Sequence, residues 1–507
     1  MDIKLGPTLS RRTFLYAGTA LVALAATGLQ SRAFAQGGKQ LRWAPHVIPR
    51  VIDARVHRST IEQNVFMQLY DGLVDFDEEL NIRPRLATEW EQVDPLTWRF
   101  TLREGVTFHN GEAFNAEAVK FSIEQYAELD PPYLYISNWE PGWPPSAEVE
   151  SELVVLIRTP APLPNLPRLL MRIGMLPPVA TLEPTFGEKP VGTGPFMLAE
   201  WRPGESLTLA ANPNYWDGAP EVAELRFIPI EDASARMAAL QAGEVDYIWN
   251  VPLDRIAELE GNFNILRVDR PLTNNLIAFN FNAPNSPVAN VQVREALKYA
   301  FDGKLIIEAL LGGLAVAGTG PTPSAAYGAY DGPGYPDRDI EKAKTLLAEA
   351  GYPDGFTLTL IAQPASFTNL TSIVETLQAD FAEIGVTLNY EELDQGQMNE
   401  RADTDTWDIR TDGTTGATGE AVYFYNTAKR NMGFESEAAD TLLAQANEAG
   451  DTPEREELMA QAMKAWWELV PWLWSFESPL MHASVKELEG VELIPNNWTL
   501  MRHAKLV

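Results

Sequence analysis

The chain has no cysteine. That excludes disulfides, thiolate zinc sites, a cysteine nucleophile and a lipid-bearing N-terminal cysteine. Histidine is scarce, and the five present (His46, His57, His109, His482, His503) form no H-x-x-x-H pair, so a zinc enzyme is not expected. His109 reads as part of a turn. There is no G-x-S-x-G elbow for a serine nucleophile, and no internal repeat or low-complexity tract. Basic residues are few: 39 Lys+Arg against 70 Asp+Glu leave a net charge of −31, a field that repels nucleic acid and anionic lipid. Long apolar runs are missing as well. The one near the N-terminus, Tyr16 to Leu29, is shorter than the roughly 20 residues that span a bilayer.

What is there describes an exported globular protein. The 507 residues are 45% hydrophobic, 10% aromatic and 21% charged, enough for about three domains at roughly 100–200 residues each. Ser10-Arg-Arg-Thr-Phe-Leu15, the apolar run after it and Ala33-Phe34-Ala35 resemble a twin-arginine signal peptide with its A-x-A cleavage site. Residues 1–35 are therefore expected to be removed, leaving a monomer in the periplasm without a lipid tether.

Along the mature chain, Leu41-Arg-Trp43 reads as an edge-like strand before a proline-punctuated loop. Thr60 is the expected N-cap of an apolar helix ended at Asp71-Gly72, where glycine releases the backbone into a turn. Trp98 to Leu102 alternates as a half-buried strand. Ala116 to Tyr126 reads as an amphipathic helix, and Leu153 to Ile157 as a strand. Val191-Gly-Thr-Gly-Pro-Phe196 suits a tight turn with close backbone approach; no lysine–serine pair follows, so it does not cradle phosphate. Asp339 and Thr452-Pro453 are helix starts. Thr357–Ile361, Leu370–Ile384 and Val386–Tyr390 alternate strand, helix, strand, the step of an α/β domain.

The order of these segments is more specific than any one of them. Asn64-Val-Phe-Met-Gln-Leu-Tyr-Asp-Gly-Leu-Val-Asp-Phe-Asp77, Pro84 to Trp90, Trp98 to Gly111, Val191 to Phe196, Asn212-Pro-Asn-Tyr-Trp216 and Val293 to Phe301 resemble the family 5 extracytoplasmic solute-binding proteins of bacterial ABC importers. The resemblance implies an α/β, two-lobed periplasmic-binding-protein fold with an extra inserted domain and a hinge between lobes. The first lobe would comprise 36–70, 192–270 and 478–507, the inserted small domain 71–191 and the second lobe 271–477. It also implies a solute-binding receptor, not an enzyme, working with permease subunits and without cofactor or metal.

Peptide-binding members hold the ligand's amine with an aspartate after a W-D or Y-D step and its carboxylate with an arginine. Here the step is Trp407-Asp408, and the loop beyond it offers Arg410, Asp412, Thr414 and Glu420 but no second tryptophan. No arginine lies between Leu346 and Glu400, and no histidine between Trp407 and Asn426, which argues against a nickel chelate. The expected solute is a peptide or modified amino acid; an oligosaccharide or opine-like sugar conjugate is the alternative, and a periplasmic hydrolase or chaperone a remoter one. Expected ligand contacts are Ser59, Thr60, Trp139, Trp143, Asn280, Trp407, Arg410, Asp412 and Thr414. Arg410 either faces a ligand carboxylate or pairs with Asp408 or Asp412. The Asp130–Pro145 loop that carries Trp139 and Trp143 either walls the ligand or packs as a surface lid.

Overall fold

The computed structural model describes residues 39–56, 59–129, 144–363, 369–402, 404, 406–416 and 418–507. The expected signal peptide, Trp139 and Trp143 lie outside them. Two large sheets dominate. The first has seven strands in the order Asn264–Val268, Leu480–Ser484, Tyr247–Ile248, Gln40–Ala44, Glu224–Phe227, Ser206–Ala211, Phe196–Arg202. The second has six: Val316–Ala317, Trp472–Glu477, Thr273–Phe279, Ile409–Thr415, Phe356–Ala362, Val386–Glu392. A four-stranded sheet, Ala87–Asp94, Thr97–Leu102, Val154–Arg158 and Ser146–Ser151, carries the helix Ala116–Ala127.

Gln40–Ala44 is not an edge strand. It runs parallel between Glu224–Phe227 and Tyr247–Ile248, with Leu41 and Trp43 wholly buried. The proline-rich loop after it reads as the end of a sheet, but its partners are far along the chain, where local pattern does not reach. The first helix, Thr60–Leu69, is capped one residue earlier than expected: the Ser59 hydroxyl accepts from the Glu62 amide (3.3 Å) and the Glu62 carboxylate accepts from the Ser59 amide (3.0 Å). Asp339 and Thr452 cap their helices as expected. The strands Phe356–Ala362 and Val386–Glu392 pair in parallel around the helix Leu370–Ala382, the expected α/β step.

The helix Thr60–Leu69 reads as apolar, yet it buries three carboxamides, two of them, Asn64 and Gln68, one turn apart and fully enclosed. Asn64 accepts from the Thr499 amide (2.6 Å) and donates to the Asn497 carbonyl (2.9 Å). Gln68 does the same with Met501 (3.1 Å) and Thr499 (2.8 Å). The pair satisfies backbone groups of the C-terminal strand Trp498–Leu500 where no neighbouring strand does. Gly72 keeps a negative φ and is needed for space instead: a Cβ there would stand 3.0 Å from the Met171 carbonyl oxygen. Gly192 and Gly194 press against the Leu69 carbonyl, where any Cβ would collide, and the Gly194 amide bonds that oxygen at 3.0 Å. His109 closes the same turn, accepting from the Gly192 amide at Nδ1 (3.2 Å) with Nε2 3.0 Å from the Gly194 carbonyl.

Burial pushes the His109 pKa down to about 4 against the pull of the Gly194 carbonyl, and burial alone pushes His482, beside the Tyr247 hydroxyl at 2.9 Å, down to about 3. Both rings are neutral in the fold, whereas an unfolded histidine titrates near 6.5. Their contribution to stability is therefore complete above pH 6.5 and is lost as the pH falls toward 4 and then 3. At about 1.4 kcal/mol per pKa unit, the loss is on the order of a few kcal/mol at each ring, somewhat larger at His482. Urea midpoints should fall between pH 7 and 4, and less steeply in His482→Gln; equal slopes would contradict this account.

Among the described residues the three largest apolar cores follow from these sheets. One lies under the first and four-stranded sheets (Trp43, Phe66, Phe100, Leu209) and one around the six-stranded sheet (Phe279, Leu360, Phe381). The third lies at the seam and joins Phe76 and Met171 to Phe424, Trp466 and Trp498.

Candidate functional site: the cleft at the crossing strands

The chain passes between the large sheets twice in short steps. Asn264–Val268 of the first sheet leads through residues 269–272 to Thr273–Phe279 of the second, and Trp472–Glu477 returns through Ser478-Pro479 to Leu480–Ser484. Two short links side by side give the sheets one shared axis. Against these links lies a cavity of about 340 Å³. The first-sheet side supplies Asn250, Val251 and Leu253, the second Thr273, Asn275, Leu311 and Phe476, and the return link Ser478 and Pro479. Among the described residues that line it, none is charged.

Its walls are held from behind. Asn250 has a left-handed backbone (φ +53°), which asparagine tolerates better than most side chains. Arg236, only 5% exposed, donates to the carbonyls of Ile230 (2.8 Å), Glu231 (2.7 Å), Trp249 (3.2 Å) and Asn250 (3.4 Å), fixing that turn. Burial holds its pKa below the ordinary arginine value, with Asp232 opposing. On the other wall the Thr273 hydroxyl meets that of Thr415 at 3.0 Å and the Asn275 amide reaches the Phe476 carbonyl at 3.4 Å. Neutral hydroxyls and amides between apolar patches can bind amide or hydroxyl groups of a solute without paying the desolvation cost of a buried charge.

The residues expected from the sequence stand elsewhere. Ser59 and Thr60 form the first turn of their helix, with Ser59 engaged in the capping box. Asn280 and Trp407 are buried together, the Asn280 amide donating to the Trp407 carbonyl at 2.8 Å. Arg410 is buried with its guanidinium 5.6 Å from the Trp407 ring and pairs with Asp412. Asp408 accepts from the Ser286 hydroxyl and from the Thr359 amide (2.7 Å). Thr414 faces Asn274 across the strand pair, next to the Thr273–Thr415 contact that bounds the cavity. Asn250, Thr273, Asn275 and Phe476 were not anticipated, although Ser478-Pro479 between two strands is the punctuation of a crossing.

A larger hollow of about 1010 Å³, bordered by Arg50, Lys189, Val191, Met197 and Trp201, has among the described residues no lining from the six-stranded sheet's part of the chain. It is an open trough beside one edge strand. The cleft cavity is walled from two lobes, which is the geometry that encloses a solute. No described helix is long and apolar enough to cross a membrane.

Comparison with known proteins agrees with this architecture. The glutathione-binding protein GsiB of Pectobacterium atrosepticum is 28% identical over 461 residues, covering 86% of this chain and 88% of the relative. GsiB of Salmonella typhimurium is 28% identical over 468 residues with the same coverage. The solved structure of HbpA2 from Haemophilus parasuis superposes with a TM-score of 0.80 at 27% identity, covering 92% of this chain and 100% of that one. DppA from Helicobacter pylori in complex with the peptide STSA, at 23% identity and a TM-score of 0.77, shares the fold over 92% of this chain and 98% of its own. Residues 81–435 match the model of the bacterial extracellular solute-binding proteins, family 5, and the chain belongs to that family.

Proposed function

We propose that the protein is a periplasmic receptor that captures a peptide-type solute between its two lobes and delivers it to the permease of an ABC importer. The lobes, 36–70 with 192–270 and 478–507 on one side and 271–477 on the other, close about the two short links, with 71–191 attached to the first. The protein acts as a monomer, exported and freed of residues 1–35, and binds without chemical turnover.

The observation that carries this reading is the uncharged cavity at the double crossing, walled by Asn250, Thr273, Asn275 and Ser478. Amide and hydroxyl groups match the backbone of a short peptide, and the glutathione-binding relatives support a solute of that chemistry. Thermal unfolding with reduced glutathione, trialanine, a nickel–histidine complex and maltotriose tests it. At a hundredfold excess over Kd, a bound compound adds about 2.7 kcal/mol. A raised Tm with glutathione or trialanine is the expected result. A rise with maltotriose alone would overturn the peptide assignment, and consumption of any of these compounds would overturn the receptor reading.

A further inference from the structure

Glu420 ends the segment that follows the strand Ile409–Thr415 and opens the helix Ala421–Met432. Its carboxylate is wholly buried. Arg455, from the helix Pro453–Trp467 of the same lobe, donates to both oxygens at 2.8 Å. From across the seam the Asn165 amide donates at 2.9 Å and the Arg168 Nε lies 3.6 Å away. Asn165 stands at the N-cap of the helix Leu166–Leu170, yet its side chain caps nothing there and goes to Glu420 instead. The Arg168 guanidinium lies over one ring from each side, Phe76 at 5.5 Å and Tyr327 at 5.2 Å.

We propose that Asn165 and Arg168 are positioning residues that clip Glu420 to the inserted domain and bias the empty receptor toward the closed arrangement of its lobes. The pairing is unequal in a way that suits a reversible contact. If the seam parts, Glu420 keeps its two-point partner Arg455, so no buried charge is stranded. Arg168 borders a cavity of about 490 Å³ with Glu78 and Glu79, which offer it carboxylates when it is released. By contrast, among the described residues the buried ionic network around Asp71, Arg85 and Arg502 draws on residues 71–85, 193–217 and 492–503, all outside the six-stranded lobe.

This inference rests on the reading that the lobes close on a solute, and its test needs no solute. The native chain has no cysteine, so cysteines placed at the exposed Glu205 and Glu349, one on each lobe, take a pair of labels without background. The distance distribution of the ligand-free protein is then compared with those of Asn165→Ala, Arg168→Ala and Arg168→Lys. The ratio of closed to open protein should fall about tenfold in each alanine variant, as loss of about 1.4 kcal/mol of differential contact requires, with the lysine variant in between. The urea midpoint of the fully open form should change little. Identical distributions in all four proteins, whether open or closed, would overturn the clip, as would a lowered midpoint without any change in lobe distance. If the alanine variants open but neither glutathione nor trialanine closes them again, the clip stands and the peptide-receptor reading fails.

Discussion

Asp71→Ala is expected to destabilise the protein by about 3–5 kcal/mol, the cost of removing one partner from a buried ion pair. Asp71 is 5% exposed and accepts from Arg85 Nη2, the Tyr215 hydroxyl and Trp216 Nε1, each at 3.0 Å, and from the Thr193 hydroxyl at 3.2 Å. It therefore ties the turn after the first helix to Val191–Phe196 and Asn212–Trp216, so three stretches of the family pattern meet at one carboxylate. Its loss leaves the Arg85 guanidinium, itself 6% exposed, with Asp217 at 3.0 Å, Asp75 at 3.9 Å and the Tyr215 hydroxyl, and takes the buried acceptor from Tyr215, Trp216 and Thr193. Asp71→Asn keeps the acceptor oxygen and should lose less. Urea unfolding measures both, and a change in the alanine variant below about 1 kcal/mol, the scale of exposed ion pairs, would contradict the role given to Asp71.

Glu420→Ala should cost a similar amount, again about 3–5 kcal/mol, because Arg455 is left charged and buried without its carboxylate. Burial works against the charge on Glu420, but Arg455 and Arg168 overcome it and hold its pKa below the usual glutamate value. Removing both charges at once should be milder: Glu420→Leu with Arg455→Met is expected to recover part of the loss, as apolar replacement of whole buried pairs often does. A double variant no more stable than Glu420→Ala would show that packing around the site, and not the stranded charge, sets the cost.

Much of the fold is legible in the sequence, and the reasons differ by scale. Local signals worked where one element sufficed: Asp339, Thr452-Pro453 and the paired glycines at 192 and 194 do what their chemistry predicts. They failed where a distant partner decides. Gln40–Ala44 is interior because of strands far downstream, and Asn64 and Gln68 are buried because the strand Trp498–Leu500 near the C-terminus needs their amides. The expected contacts at Asn280, Trp407, Arg410 and Asp412 followed the family's loop; here the Asn280 amide donates to the Trp407 backbone carbonyl, and Arg410 pairs with Asp412 beside the Trp407 ring. The cavity at the crossing is walled by residues flanking the two links, whose juxtaposition exists only once both sheets are formed.

The central claim is that this cleft holds a peptide-type solute. The most direct measurement is mass spectrometry of the protein purified natively from the cells that make it, compared before and after denaturation. The account predicts a single released compound containing amide bonds, near one equivalent per chain, with a much lower yield when Asn250 and Asn275 are both replaced by leucine in a protein that still folds. Release of a sugar without an amide, or an unchanged yield from the double variant, would contradict it.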